Sequence, residues 1–256
     1  MAENELFLKT YLREIGVQTP VSLFTSGPRI SAAESAAASA STQSASTRPA
    51  AEQAAIVELS AMPEGERSET NSGTLAALAE KAATCRLCGL AETRTQVVFG
   101  VGNPNADIVF IGEAPGRDED AKGEPFVGRA GQLLDRMLAA IDLDRDRAYI
   151  MNTIKCRPPN NRDPRMDEVQ SCNLWFEQQL ELLQPKMICL LGRVAAQTVL
   201  ETDAPLGSLR GQWHDYQGIP VWVTYHPAYL LRSPAQKQKS WLDLQALASR
   251  YNQLNS

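Results

Sequence analysis

The chain has 256 residues and a formal charge of −5, which leaves room for one large domain or two small ones. An acidic balance excludes capture of nucleic acid by bulk charge, and no apolar run approaches the length of a membrane span. The N-terminus lacks a basic segment leading into an apolar signal core, so a soluble, cytoplasmic protein is expected.

Three regions follow in order. Residues 1–24 hold a short amphipathic stretch, ELFLKTYLREI, and then PVSLF (Pro20–Phe24), which read either as a helix that packs back on the domain or as a partner-binding hook. The Ser-Leu-Phe ending is similar to bacterial sliding-clamp-binding pentapeptides, although their usual first-position Gln is absent. Residues 25–74 are dominated by Ala, Ser, Thr and Glu and contain no aromatic residue, so they cannot offset their ordering entropy and are expected to be a disordered linker. Residues 75–256 form the globular domain. It carries 20 basic and 21 acidic side chains, so any DNA site in it must be local rather than global.

Within the domain, Leu75 to Ala83 has helical periodicity and leads into Cys85-Arg86-Leu87-Cys88. QVVFGVG reads as a first strand. ADIVFIGEAPG (Ala106–Gly116) then reads as a buried parallel strand ending in a loop where Gly112 and Gly116 allow close backbone approach to a ligand. Ala130 to Leu143 is helical by pattern, and Ala148 to Ile154 is a strand ending in the loop NTIKCRPPNNRDP. Asp163-Pro164 predicts the next helix start, with Asp as cap. Lys186 to Leu191 is a strand, Val194 to Leu200 a helix, GQWHDYQGIPVWVTYHP a hairpin, and the region around Trp241–Leu254 a closing helix. This alternation predicts an α/β fold, a three-layer α/β/α sandwich with a mainly parallel central sheet. An open sheet of that kind binds its ligand at the carboxyl ends of its strands.

Cys85, Cys88, Cys156 and Cys172 form a set of four beside the two loops, while Cys189 sits inside an apolar strand as a core residue. In an intracellular protein such a set points to metal chemistry rather than disulfides. Four thiolates suit either zinc or an iron–sulfur cluster, and spacing alone does not choose.

GEAPG (112–116), EPFVGRAG (124–131), NTIKCRPPNNR (152–162) and HPAYLLR (226–232) resemble the family 4 uracil-DNA glycosylases, and the four cysteines match that family's ligands in order and approximate spacing. The resemblance covers residues 75–256. It implies the uracil-DNA glycosylase fold, a [4Fe–4S] cluster on Cys85, Cys88, Cys156 and Cys172 (zinc being the alternative), and a monomeric repair enzyme. Such an enzyme flips deoxyuridine from DNA and hydrolyses its N-glycosidic bond. It further implies that Phe126 stacks on uracil, that Gly112, Glu113 and Glu119 border the base, and that His226 faces uracil O2. Glu119 would crowd the uracil C5 position against thymine. Asn152 would read the pyrimidine edge, since an amide can donate to O4 and accept from N3–H.

The superfamily's best-known branch has a water-activating Asp where this chain has Ala114, which leaves Glu113 as the nearest carboxylate, and His226 and Glu113 as the catalytic candidates. Leu230 and Leu231 are expected to wedge into the gap left by the flipped base, with Arg232 on a phosphate. Arg157 and Arg162, with Lys155 and Arg165, make the second loop locally basic. A covalent uracil trap would need a His in that loop, and Asn152–Pro164 has none. Lys155 is the residue through which lyase chemistry would enter. The other reading open at this point is a non-catalytic iron–sulfur module that binds DNA in association with replication.

Overall fold

The computed structural model describes residues 64–255. Residues 1–24 and most of the 25–74 stretch therefore lie outside the described residues. The first helix, α1 (Glu64–Ala83), starts inside the stretch read as linker, eleven residues before Leu75.

Six strands form one sheet: β1 (Val101–Gly102), β2 (Ile108–Gly112), β3 (Tyr149–Asn152), β4 (Met187–Leu191), β5 (His214–Tyr216) and β6 (Ile219–Thr224), in the spatial order β1-β3-β2-β4-β6-β5. The four central strands are parallel, and β1 and β5 close the edges antiparallel. Every residue of β2, β3 and β4 is buried, as expected of Val/Ile/Leu-rich strands covered on both faces. QVVFGVG contributes only a two-residue edge strand.

Strand alternation assigns the core to two layers. Ile108, Phe110, Ile150, Cys189 and Leu191 face Leu133, Leu134, Met137 and Leu138 of α3 (Arg129–Ala139) and Leu244 and Leu247 of α8 (Lys237–Leu254). Val109, Ile111, Met151, Ile188 and Leu190 face α1 and Phe176, Leu180 and Leu183 of α4 (Met166–Leu183), with Ala196 and Val199 of α5 (Arg193–Val199). This is the expected three-layer sandwich. Cys189 is fully buried core, as read from its strand.

Local differences have local causes. A six-residue helix, α2 (Arg117–Lys122), fills the glycine-rich loop after β2. The helix α3 stops at Ala139 rather than Leu143, because Asp142 turns into the left-handed region at φ 57°. The Asp163 cap is overridden: α4 starts at Met166, where Glu168 accepts the Arg165 N–H at 2.8 Å, and Asp163 instead pairs with Arg193 at 2.8 Å. Two short helices, α6 (Leu206–Leu209) and α7 (Pro227–Arg232), complete the set. Among the described residues no helix is long and apolar enough to cross a membrane.

Candidate active site and thiol site

The topology places the site. From the central β2 the chain crosses to β3 on one side and then to β4 on the other, which makes the carboxyl ends of β2 and β4 a switch point. A cavity of about 370 Å³ opens there, lined by Glu113, Ala114, Phe126, Asn152, His226 and Tyr229 among others. Three of them stand at the carboxyl ends of parallel strands: Glu113 just after β2, Asn152 as the last residue of β3, and His226 shortly after β6. Residues more than a hundred positions apart thus share one wall.

Gly112 is required by this convergence. A side chain there would collide with Asn152 Oδ1 and with the Phe126 ring, at 2.7 and 2.9 Å from two of its carbons. Gly192 plays the same part for His226: its φ is +95°, and an added Cβ would lie 2.8 Å from the His226 Cβ. Phe126 itself sits at φ 54°, a costly conformation for an aromatic residue. Its loop is held from both sides. Arg145 donates to the carbonyls of Pro125 (3.1 Å) and Phe126 (2.5 Å) while pairing with Asp135, and Glu119 accepts the N–H groups of Val127 (3.0 Å) and Gly128 (3.1 Å). The Phe126 and His226 rings lie 5.5 Å apart at 30°.

Three polar groups give the cavity its chemistry. Asn152 is buried, and its Oδ1 has no hydrogen-bond partner among the described residues. Such an atom is costly unless a ligand satisfies it. His226 caps α7 by accepting the Ala228 N–H on Nδ1 at 3.1 Å, so the neutral ring carries its proton on Nε2. Desolvation in this recess, with the Arg232 guanidinium nearby, pushes the imidazole down to about 4, so it stays neutral at physiological pH. Burial pushes the Glu113 carboxyl up to about 7, with Asp163 adding to the shift and Arg193 opposing it.

The remaining predicted residues divide. Leu230 is not a wedge: it is 1% exposed and packs in the core with α3 and α8. Helical spacing turns it inward and turns Tyr229, which is exposed and stacked on Tyr225 (5.4 Å, 18°), toward the cavity mouth. Leu231 is partly buried against the same core, and Arg232 lines the cavity. Arg162 lines the cavity too, but Glu168 holds its guanidinium in two hydrogen bonds of 2.8 and 2.5 Å, so it orders the loop rather than standing free for DNA. Lys155 is 1% exposed, out of reach of a DNA backbone or of a sugar aldehyde. Glu119 borders the cavity, yet its carboxylate is occupied by the Phe126 loop. Arg157 is partly exposed and, with Arg117 and Arg129, surrounds a second depression that shares Gly116, Glu119, Ala130 and Asn161 with the first. Sequence reading missed Tyr229 and Arg129 in these roles, although Tyr229 lies inside HPAYLLR and Arg129 inside EPFVGRAG.

Cys85, Cys88, Cys156 and Cys172 line one cavity beneath the second loop, with Arg94, Lys155 and Trp175. Three of the sulfurs receive N–H groups: Cys156 from Arg94 Nη1 (3.1 Å), Cys85 from Trp175 Nε1 (3.2 Å) and Cys172 from the Lys155 main chain (3.3 Å). Donors of that kind stabilise thiolates. Among the described residues no three His, Cys, Asp or Glu side chains converge tightly enough to hold a single metal ion.

Comparison with known proteins agrees with this geometry. The family model of the uracil DNA glycosylase superfamily matches residues 99–245, a span that contains β2, β3, β4 and β6 and the loops that build the cavity. The type-4 uracil-DNA glycosylase of Archaeoglobus fulgidus is 46% identical over 164 residues, covering 61% of this chain and 82% of that protein. Its counterpart from Sulfurisphaera tokodaii is 41% identical over 170 residues, covering 63% and 77%. A type-5 uracil-DNA glycosylase of Pyrobaculum aerophilum is more distant, at 31% over 146 residues. With the cavity at the switch point and the match spanning it, the chain belongs to the uracil DNA glycosylase superfamily, in its type-4 branch.

Proposed function

We propose that the 370 Å³ cavity receives a uracil flipped out of DNA, and that Asn152 and His226 divide its recognition and its departure between them. The chain is a uracil-DNA glycosylase that acts in DNA repair on uracil-containing DNA. The observation that carries the assignment of roles is the orphaned Asn152 Oδ1. It accepts the uracil N3–H, while the amide nitrogen donates to O4. Cytosine presents an acceptor and then a donor at those positions, and would leave the amide mispaired on both. Phe126, fixed by Arg145 and Glu119, gives the base a plane to stack on.

His226 acts as a neutral donor. With Nδ1 committed to Ala228, Nε2–H points its hydrogen bond at uracil O2. As the C1′–N1 bond breaks, the electron pair moves onto uracil and negative charge collects on N1 and O2, where a fixed donor stabilises it more than it stabilises the ground state. The sugar develops oxocarbenium character, water bonds to C1′, and its released proton passes to solvent or to a carboxylate. Ala114 supplies no base, so Glu113, ionised above about pH 7, is the nearest carboxylate for the water or the sugar cation. Leaving-group stabilisation carries most of the rate.

The same reading gives the four cysteines a [4Fe–4S] cluster. The donor set fits: four soft thiolates line one cavity, and three of them receive N–H donors. When bound, a cluster there supplies a covalent staple that joins the segment at Cys85 to the second loop and α4. Tyr229 and Leu231 face the DNA helix in place of Leu230, with Arg232, Arg157, Arg117 and Arg129 on phosphates. The enzyme works as a cytoplasmic monomer, with Pro20–Phe24 as a tether to a replication protein such as the sliding clamp.

The test is alkali-dependent strand cleavage of an oligonucleotide bearing a single uracil, beside thymine and cytosine controls. Breakage only at uracil, slowed by about 10²–10³ in His226→Ala while DNA binding persists, is the expected result. DNA binding without breakage by a protein that holds its metal would favour a non-catalytic module.

A further inference from the structure

Lys155 is the one lysine of the described residues that is buried, and the hydrogen bonds and ion pairs of the fold do not offset its charge. It is 1% exposed, its Nζ lies 5.9 Å from the ring centres of both Phe99 and Phe176, and no carboxylate pairs with it among the described residues. Its Nζ donates to the Asn152 main-chain oxygen at 2.8 Å. Ring faces at the limit of cation–π range and one carbonyl do not compensate a fully desolvated ammonium. A charge so placed needs a counter-charge. The nearest candidates are the sulfurs of Cys156 and Cys172: Lys155 adjoins Cys156 in sequence, its N–H donates to Cys172 Sγ, and it lines the cavity of the four thiols.

We infer that Lys155 is the buried counter-charge of the four-thiolate site and the link through which that site holds Asn152 in its base-reading position. This rests on the reading of the cysteines as a metal-bearing set. Four thiolates on a divalent ion or on a [4Fe–4S] core leave a net negative charge. Arg94, at 3.1 Å from Cys156 Sγ, offsets part of it from the half-exposed side, and Lys155 offsets it from within. The same ammonium, through its 2.8 Å bond to the main-chain oxygen, fixes the peptide plane of Asn152 at the point where β3 ends. Two further contacts brace the connection: Val98 N–H donates to the Lys155 carbonyl at 2.8 Å, and Thr153 N–H to the Gly112 carbonyl at 2.9 Å. The packing is continuous as well, since Ile154, Cys156 and Cys172 form one small core against which Ala114 of the cavity wall packs. Lys155 is thus a positioning residue, acting on the base through Asn152.

Two variants of the full chain separate the parts. Lys155→Gln keeps an N–H donor and removes the charge, whereas Lys155→Met removes both at similar length. The midpoint potential of the cluster should move negative in both, because adding an electron to a site that has lost a nearby cation is less favourable, and both should lose iron to a chelator faster than wild type. Only the Met variant should also lose kcat on uracil-containing DNA, by between about 10- and 100-fold with KM within about twofold, as expected for a misplaced reading group. If Lys155→Met does not fold, the Gln variant alone carries the charge test. A wild-type potential and iron-release rate in cluster-bearing variants would overturn the counter-charge, and a wild-type kcat in Lys155→Met would overturn the link to Asn152. Wild-type protein without iron or visible absorbance would defeat the cluster reading itself, and the counter-charge with it, while the Met variant's kcat would still decide the link.

Discussion

Asn152 and His226 are both held by bonds that leave one atom free for a ligand. Asn152 spends its main-chain oxygen on Lys155 and keeps Oδ1 unpaired, and His226 spends Nδ1 on Ala228 and keeps Nε2–H. Removing a buried partner of this kind from a polar ligand costs about 10²–10³ in rate, so Asn152→Ala and His226→Ala should each lose that much kcat in a single-turnover excision assay while still binding DNA. The pH dependence follows from the two shifts. His226, pushed down to about 4, stays neutral through the working range and should cost activity only as pH approaches 4. Glu113 ionises near 7, so a rate that uses its carboxylate rises through that pH, and Glu113→Gln should flatten this limb. A limb that survives the substitution removes Glu113 from the reaction. There is also a stability consequence. His226 titrates lower folded than unfolded, where it sits near 6.5, so the unfolded chain takes up the extra proton first; stability is lost as pH falls from 6.5 toward 4.

At the scale of elements, the loop after β2 and the short helix α7 show how strain and spacing are used. Phe126 is held at a positive φ by Glu119 and Arg145, so the bonds that keep its ring in place come from α2 on one side and from the segment after α3 on the other. Glu119→Ala should therefore lower uracil excision and lower Tm by the few degrees that two lost N–H partners imply. It should not open the site to thymine, and thymine release in a glycosylase assay would restore a steric role for Glu119. In α7 the consecutive residues Tyr229 and Leu230 face opposite ways. Leu230→Ala should cost about 2–5 kcal/mol in denaturant unfolding, as a core truncation does. Tyr229→Ala should leave stability nearly unchanged and weaken excision from duplex DNA. The reverse pattern would restore the wedge to Leu230.

On the scale of the molecule, a domain close to electrical neutrality can meet a polyanion only through local charge, and the proposed DNA path rests on arginines. Arg117, Arg129 and Arg157 surround the depression that adjoins the base cavity, and Arg232 lines the cavity itself. Each phosphate contact contributes about one unit to the slope of log K against log salt. Arg129→Ala combined with Arg157→Ala should reduce that slope by about two in a binding titration, with no change in preference for uracil over thymine. An unchanged slope would move the DNA path elsewhere.

How much was legible in the sequence follows the range of the physics involved. Hydrophobic runs with β-branched residues determined β2, β3 and β4, and the 3.6-residue period determined the buried face of α3, because these are local consequences of covering a sheet on both sides. The motif loops identified Asn152, Phe126, His226 and the four cysteines as chemistry-bearing. Helix starts were less legible: a distant or competing partner decides a cap, as Arg193 does for Asp163 and Glu168 does for Arg165. Which of Leu230 and Tyr229 turns inward depends on how α7 docks against α3, and whether Arg162 is free depends on Glu168, so neither could be read along the chain. Lys155 is the clearest case. As a letter among Arg157, Arg162 and Arg165 it belongs to a basic surface loop, and only the tertiary structure seals it between Phe99, Phe176 and the thiols. Pattern and composition determine which residues can be buried, whereas the fate of a polar side chain is set by long-range partners, whose positions exist only once the sheet has closed.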